Sequence, residues 1–196
     1  MNSKNLTLII ILVVIVLLGG CGCSGYNNMV QLDENVKGKT GNLQSEYQRR
    51  SDLIPQLVNT VKGAAKFETT TLTQVVEARA KASSIQLNAD DLTPEKLQQF
   101  QQAQTQLSGS LSRLLATVES YPDLKANQNF QNLQAQLEGT ENRIKVARND
   151  FNTTVQDYNS NIRRFPNSLY AGAFNFKQRP YFQADQGSEK APQVNF

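Results

Sequence analysis

The sequence contains no histidine and no tryptophan, and its only two cysteines, Cys21 and Cys23, are separated by a single glycine. Without histidine the chain cannot form a Ser-His-Asp triad, a Cys-His nucleophile or a histidine-ligated zinc or di-iron site. A lone C-x-C pair supplies too few ligands for a four-cysteine zinc site, and a disulfide within it would connect nothing distant. These absences exclude most common catalytic designs, so we expect neither a metal nor a cofactor.

Concentrated charge of one sign is also missing. The chain has 20 lysines and arginines and 17 aspartates and glutamates, a formal net charge of +3, without a run of five like charges. Nucleic-acid binding depends on a basic patch or stripe, so we expect no nucleic-acid partner. About 170 residues follow residue 25, which is enough for one domain with a substantial core.

Only one long hydrophobic run is present. Residues 6–18 contain one polar residue, Thr7, and they follow Lys4 and precede small residues, as in a secretory signal. The run is short of the roughly 20 residues that a bilayer span needs, yet no charge occurs between Lys4 and Asp33, so a longer uncharged span also fits. The sequence therefore predicts that residues 1–25 are a membrane anchor or a lipoprotein signal segment.

Two modes of anchoring remain open. Leu18-Gly19-Gly20-Cys21 resembles the bacterial lipobox, which implies cleavage before Cys21 and makes its thiol the lipidation candidate. The alternative is an uncleaved anchor, and either mode tethers the domain to a membrane. Lys4 before the apolar run and Asp33 after it predict, by the positive-inside rule, that the bundle is extracytoplasmic, at the cell membrane or in the envelope.

Apolar residues at helical spacing dominate the rest of the chain. Every seventh residue of the clearest stripe is apolar or aromatic: Phe130, Leu137, Ile144, Phe151, Tyr158 and Phe165. Similar stripes predict helical segments at about 26–50, 53–82, 93–121 and 127–165. No alternating run is long enough for a sheet. We expect an all-α fold, an antiparallel up-and-down four-helix bundle with long helices.

Local signals indicate where these segments begin. Thr93 followed by Pro94 is a typical helix start, and Asn127 is predicted to cap the last helix. Pro55 either lies in the first turn of a second helix, after Ser51 or Asp52, or kinks one continuous helix. We favour the first alternative.

The C-terminal region changes character at Pro166. Its first half is predicted to lie across the bundle and to bury its rings, which are Tyr170, Phe174, Phe176, Tyr181 and Phe182. The bundle domain then covers residues 26–182, and residues 183–196 are predicted to be a disordered tail.

Four stretches in order resemble the LemA family: YNNMVQLDENV from Tyr26, RRSDLIPQLVNTVK at 49–62, ESYPDLKANQNFQNLQAQLEGTENRI at 119–144 and ARNDFN at 147–152. The resemblance runs to about Phe182. It implies a bacterial membrane-anchored protein with an antiparallel bundle of four helices, and it implies no catalytic residue. Family members usually carry an N-terminal membrane span, from which the cysteine-bearing GGCGC departs.

Several polar groups allow two interpretations. Arg49, Arg50 and Asp52 form either a docking patch for an anionic partner or a helix junction in which Asp52 caps and the arginines pair with acids. The asparagines of Phe151-Asn152 and Tyr158-Asn159 either contact a substrate or bond to the backbone of neighbouring segments. We favour the structural alternative in both cases.

Four carboxylates raise the same question. Glu119, Asp123, Glu138 and Glu141 suit a divalent cation or acid–base chemistry if they converge, and interhelical ion pairs if they do not. We favour ion pairs.

The favoured function is a membrane-tethered helical-bundle protein, not an enzyme, that acts as a protein-interaction or envelope-assembly scaffold. The alternative is a carboxylate-based metal-binding protein or enzyme within the bundle. The expected partners are the membrane and an unknown protein, and the heptad stripes also suit self-association.

Overall fold

The structure, a computed structural model, describes the backbone of residues 3–63 and 68–183 and, within these ranges, the side chains of Leu12 and of residues from 24 onward. This part of the chain is all-α, as predicted, and contains no strand. It forms six α-helices and one 3-10 turn, Ala89–Asp91. The helices are α1 (Ser3–Lys62), α2 (Thr69–Ser84), α3 (Pro94–Val118), α4 (Pro122–Lys125), α5 (Gln128–Arg163) and α6 (Asn167–Ala173).

Helix α1 runs without interruption through Pro55, so the predicted helix start after Ser51 or Asp52 is wrong. A proline inside a helix leaves the carbonyl four residues earlier, here that of Ser51, without its usual N–H donor. Arg79 of α2 supplies the missing donor, with its Nε 2.7 Å from the Ser51 oxygen. Asp52 does not cap a helix, since its carboxylate accepts a hydrogen bond from Gln48 Nε2 at 2.8 Å. The predicted segment 53–82 is consequently divided between α1 and α2.

The predicted helix caps of α3 and α5 are confirmed. Thr93 Oγ1 accepts a hydrogen bond from the backbone N–H of Lys96 at 3.2 Å. Asn127 Oδ1 accepts from the N–H groups of Asn129 and Phe130, at 2.9 and 3.2 Å. These bonds satisfy N–H groups that a helix start leaves without partners.

Helices α1 and α5 contribute to both clusters of the hydrophobic core. The first cluster joins the C-terminal part of α1 and the N-terminal part of α5 to α2 and α3. The second joins their other parts to the start of α3, to Ala171 of α6 and to Phe182. The heptad stripe is buried as expected from Phe130 to Tyr158, but Phe165 is 81% exposed because α5 ends at Arg163.

The region that begins at Pro166 docks on the helices, although two of its rings do not become buried. Phe182 is buried, and Tyr170 and Phe176 are half-buried. Phe174 and Tyr181 are exposed, so that part of the prediction is wrong. We call residues 176–183, which have no regular secondary structure, the C-terminal strap.

Some predictions concern residues outside the described part of the chain. The predicted disordered tail lies there from residue 184 onward, as does the side chain of the lipidation candidate Cys21. The side chains of the apolar run, residues 6–18, also lie there except for Leu12. No helix within the described part is both long enough and apolar enough to cross a membrane.

Candidate functional site

Arg50 lies at the centre of a polar cluster that joins three helices. Its side chain is buried, with only 2% exposed, although it carries a full charge. The guanidinium donates to Glu141 Oε1 of α5 at 2.6 Å, to Ser108 Oγ of α3 at 3.0 Å and to Gln104 Oε1 of α3. The ring of Tyr47 lies 5.3 Å from the guanidinium carbon. Arg50 therefore connects α1 to α3 and α5 and cannot belong to a surface docking patch.

The four carboxylates that the sequence singled out do not converge. Glu141 pairs with Arg50, Glu119 pairs with Lys125, and the exposed Glu138 accepts a hydrogen bond from Gln134 Nε2 at 3.1 Å. Among the described side chains, no three of the Asp, Glu, Cys or His type group closely enough to hold a metal ion. These four residues therefore form no shared cluster of three carboxylates in the described part of the chain.

Of these four carboxylates, Glu141 forms the predicted ion pair between long helices, with Arg50, whereas Glu138 does not. Other carboxylates form two further interhelical pairs. Arg143 Nε of α5 lies 3.0 Å from Glu46 Oε2 of α1, and Lys39 Nζ of α1 lies 2.7 Å from Asp150 Oδ2 of α5. Both pairs are partly exposed, so each contributes at most about 1 kcal/mol to stability. Their effect is to favour one register of α1 against α5.

A cavity of about 190 Å³ lies beside the Arg50 cluster. Its walls include Arg50, Glu141, Lys145 and Arg148. Arg50 and Arg148 already donate to protein oxygens, those of Glu141 and of the Gln183 backbone.

Two asparagines of α5 bind the backbone of the strap. Asn159 accepts the N–H of Arg179 at 2.9 Å and donates to the Arg179 carbonyl at 2.8 Å. Asn152, one heptad earlier, makes the same two bonds with Phe182, at 2.9 and 3.0 Å. Each side-chain amide thus imitates the paired bonds of a β-ladder. The interpretation that these asparagines bond to neighbouring backbone is confirmed.

A charged side chain of the strap reinforces this backbone contact. The guanidinium of Arg179 donates to Asp33 Oδ1 of α1 at 2.8 Å and to the carbonyl oxygen of Ala89. It lies 6.0 Å from the ring of Tyr158, whose hydroxyl donates to the Lys177 carbonyl at 2.9 Å. Burial, together with the negative charge of Asp33, raises the pKa of Tyr158. The phenol is therefore held as a neutral donor.

An aromatic side chain provides the second anchor. Phe182 packs edge-to-face against Phe151 and Phe100, with ring centroids 5.3 and 6.4 Å away. Arg148 lies 5.3 Å above the Phe182 ring and donates to the Gln183 carbonyl at 3.2 Å. The strap is thus fixed by its backbone and by the side chains of Arg179 and Phe182.

Sequence reasoning missed two arginines whose hydrogen-bond partners lie on distant segments of the chain. Arg179 and Asp33 are 146 positions apart, and Arg79 and Ser51 are 28 apart. No local pattern marks either arginine. Only Pro55 gave a usable signal, because a proline inside a long helix implies a carbonyl that needs another donor.

A sequence model of the LemA family matches residues 39–196, well over half of the chain. The chain belongs to the LemA family. The match includes Arg50, both strap-binding asparagines and the strap itself. Among curated relatives, protein LemA of Metamycoplasma hominis is 24% identical over 163 residues, which cover 83% of this chain and 71% of the relative.

Magnetosome proteins are similar to this LemA-family chain as well. MamQ 2 of Paramagnetospirillum magneticum is 24% identical over 177 residues, or 81% of this chain. MamQ of Magnetospirillum gryphiswaldense is 24% identical over 176 residues, or 80% of this chain. The matched region spans 64% of the length of each of these two relatives.

Proposed function

We propose that this chain is a membrane-tethered helical bundle that acts as a protein-interaction or envelope-assembly scaffold and carries out no chemistry of its own. The observation that carries the proposal is the continuity of α1 from Ser3 to Lys62. The apolar run at 6–18 and the helix that contributes to both core clusters belong to one helical rod. An uncleaved tether of this kind holds the bundle at a fixed height and direction, and in the lipid mode the acyl chains are attached to Cys21 of the same helix.

Residues 1–25 provide the tether in this proposal, and the bundle is extracytoplasmic, at the cell membrane or in the envelope. The lone positive Lys4 before the apolar run and the acidic Asp33 and Glu34 after it support this orientation. Either a lipid on Cys21 or an uncleaved span is compatible with it.

The contacts made by charged side chains inside the bundle support a scaffold, because these side chains hold segments of the chain together. Arg50, Glu141, Arg179 and Asp33 are engaged in contacts between helices or with the strap. We interpret α1, α2, α3 and α5 as an antiparallel up-and-down four-helix bundle. The apolar stripe of α5 is occupied by this intramolecular core as far as Tyr158, so self-association is proposed to use another surface.

The intact mass of the mature protein, extracted from membranes with detergent, tests the tether. A chain that begins at Cys21 and carries diacylglycerol and an acyl group supports a lipid anchor. A complete, unmodified chain in the membrane fraction supports an uncleaved span. A chain cleaved near Cys21 without lipid would overturn the tether. In the lipid case Cys21→Ala removes the added mass, whereas the matched control Cys23→Ala keeps it.

Photo-crosslinking tests the scaffold. A photoreactive residue placed at Val146 of α5 or Val76 of α2, whose side chains are 61% and 49% exposed, samples two faces of the bundle. A scaffold predicts a discrete crosslinked polypeptide from at least one exposed face. A scan of exposed positions along α1, α2, α3 and α5 that gives lipid adducts alone would contradict it.

A further inference from the structure

Helix α6 presents its apolar stripe outward. Leu169, Gly172 and Ala173 lie on α6 at positions i, i+3 and i+4, Phe165 lies in the turn just before the helix, and all four are exposed. The exposed fractions of Phe165 and Leu169 are 81% and 65%. A helix of a soluble bundle normally turns such a stripe to the core. An exposed apolar cluster on an otherwise polar surface indicates a contact surface.

Contacts with α1 position this helix close to the apolar run. At Gly25 an added Cβ would lie 2.8 Å from Asn167 Oδ1, so the side chain of the first residue of α6 packs directly against the backbone of α1 there. Tyr26 contacts Phe174 edge-to-face at 4.9 Å, and Phe174 is itself 55% exposed. Gly25 follows Leu18, the last residue of the apolar run, by only about 10 Å along the helix axis. That distance is close to the depth of a headgroup layer, where aromatic residues are enriched.

The charges around this cluster have one sign. Arg163, Arg164 and Lys177 are exposed at its edges. The chain has no acidic residue between Asp157 and Asp185, and α1 has no charged residue between Lys4 and Asp33. A basic zone without acids, next to an apolar stripe, is complementary to anionic lipid headgroups.

We propose that α6, together with Phe165 and Phe174, is a foot that contacts the surface of an anionic phospholipid bilayer. The apolar stripe lies at the headgroup boundary, and Arg163, Arg164 and Lys177 contact the headgroups. The inference rests on the proposed tether, because residues 1–25 place the foot against the bilayer. Two contacts, one through α1 and one through α6, then fix the tilt of the bundle over the membrane.

The absence of native tryptophan permits a direct test. Phe165→Trp places the only tryptophan of the chain on the foot, so that its emission can be excited selectively over the tyrosines, and Val146→Trp is the matched control at an exposed position on α5. Each full-length variant is reconstituted into vesicles of phosphatidylcholine and phosphatidylglycerol with brominated acyl chains. We expect several-fold stronger quenching in Phe165→Trp than in Val146→Trp, together with a blue-shifted emission. Adding Arg163→Gln and Arg164→Gln should weaken that quenching.

The outcomes separate the foot from the tether. Protein that leaves the vesicles would overturn both proposals. Protein that stays with the vesicles but shows equal, weak quenching at both positions would overturn the foot alone. A blue shift without quenching would mean that a polypeptide, such as a second copy, covers the stripe, and this also contradicts the foot. Quenching unchanged by the two Arg→Gln substitutions would contradict the role of charge.

Discussion

Arg79 Nε of α2 donates a hydrogen bond to the carbonyl oxygen of Ser51, at 2.7 Å. Ser51 lies four residues before Pro55, so its carbonyl has no N–H donor within α1. A second bond joins the same turn to α2, between the hydroxyls of Ser51 and Ser83 at 2.8 Å. The proline therefore does not end the helix, and the carbonyl that it leaves without a partner becomes an attachment point for α2.

Removal of the Arg79 donor should destabilise the bundle only while Pro55 is present. Arg79→Met leaves the Ser51 carbonyl without a partner, which we expect to lower the free energy of unfolding by about 1–2 kcal/mol. In a Pro55→Ala background the new N–H at position 55 bonds to Ser51, and the cost of Arg79→Met should fall to below about 0.5 kcal/mol. The double-mutant cycle is obtained by urea unfolding, in detergent, of the unmodified chain, the two single variants and the double variant.

A coupling energy near zero would contradict this account of the proline. Pro55→Ala alone should raise stability, because a proline inside a helix is less favourable than alanine by up to about 3 kcal/mol.

Replacing the Glu141 carboxylate by an amide should clearly lower the free energy of unfolding, because Glu141 is the charged partner of the buried Arg50. Glu141→Gln leaves a buried guanidinium with neutral partners only. Loss of one partner of a buried ion pair costs about 3–5 kcal/mol. Because the Glu141 side chain is 37% exposed, solvent reduces this to roughly 1–3 kcal/mol.

Glu138→Gln is the matched control, one turn away and exposed, and it should change stability by less than about 0.5 kcal/mol. Equal effects of the two substitutions would exclude Arg50 as the centre of a polar cluster. Arg50→Met should restore much of the stability lost in Glu141→Gln, because the uncompensated buried charge is then gone.

The asparagine contacts predict protection of the strap from protease. Asn159→Ala removes two hydrogen bonds to the Arg179 backbone, and we expect faster trypsin cleavage after Lys177. Asn149→Ala, an exposed position on the same helix, is the control and should match the unmodified chain. The cleavage rate after Lys177, followed by mass spectrometry, is the measurement. Equal rates in all three chains would mean that the strap does not depend on these bonds.

Alkaline pH should weaken the folded state through Tyr158. Its pKa is raised by burial above the ordinary value, which is about 10. Just above that pH the folded chain binds more protons than the unfolded chain, so stability falls as pH rises. The neutral phenol is also needed to donate to the Lys177 carbonyl.

Tyr158→Phe should make urea midpoints decline less between pH 9 and pH 11, while the exposed Tyr181→Phe should keep the full decline. A remaining decline is expected because hydrogen bonds to Glu34 and Asp90 raise the pKa of Lys37, which loses its proton over a higher pH range. Identical slopes in Tyr158→Phe and the unmodified chain would contradict the assignment.

Periodic features of the sequence predicted the helices well, because packing of an apolar stripe depends on residues three to four positions apart. The stripe from Phe130 to Tyr158 and the caps Thr93 and Asn127 illustrate this. The roles of Arg79 and Arg179 were not predictable, since each depends on a carbonyl or carboxylate that only tertiary folding brings near. Pro55 was misinterpreted for the same reason, because its compensating donor comes from another helix.

The sequence predicted that Asn152 and Asn159 bond to backbone groups, but it did not predict which residues carry those groups. Their position next to core rings placed the amides at the edge of the core, where unbonded polar groups are unfavourable. Which backbone they bind follows from the path of the strap, and no periodicity encodes that path.

Extraction of membranes with alkaline carbonate tests the central claim, that residues 1–25 tether the bundle. The account predicts that the full-length chain stays in the membrane pellet after carbonate treatment and is released only by detergent. A variant that lacks residues 6–18 should appear in the supernatant. If carbonate releases the full-length chain as completely as this variant, the apolar run is not an anchor, and the tethered scaffold is contradicted.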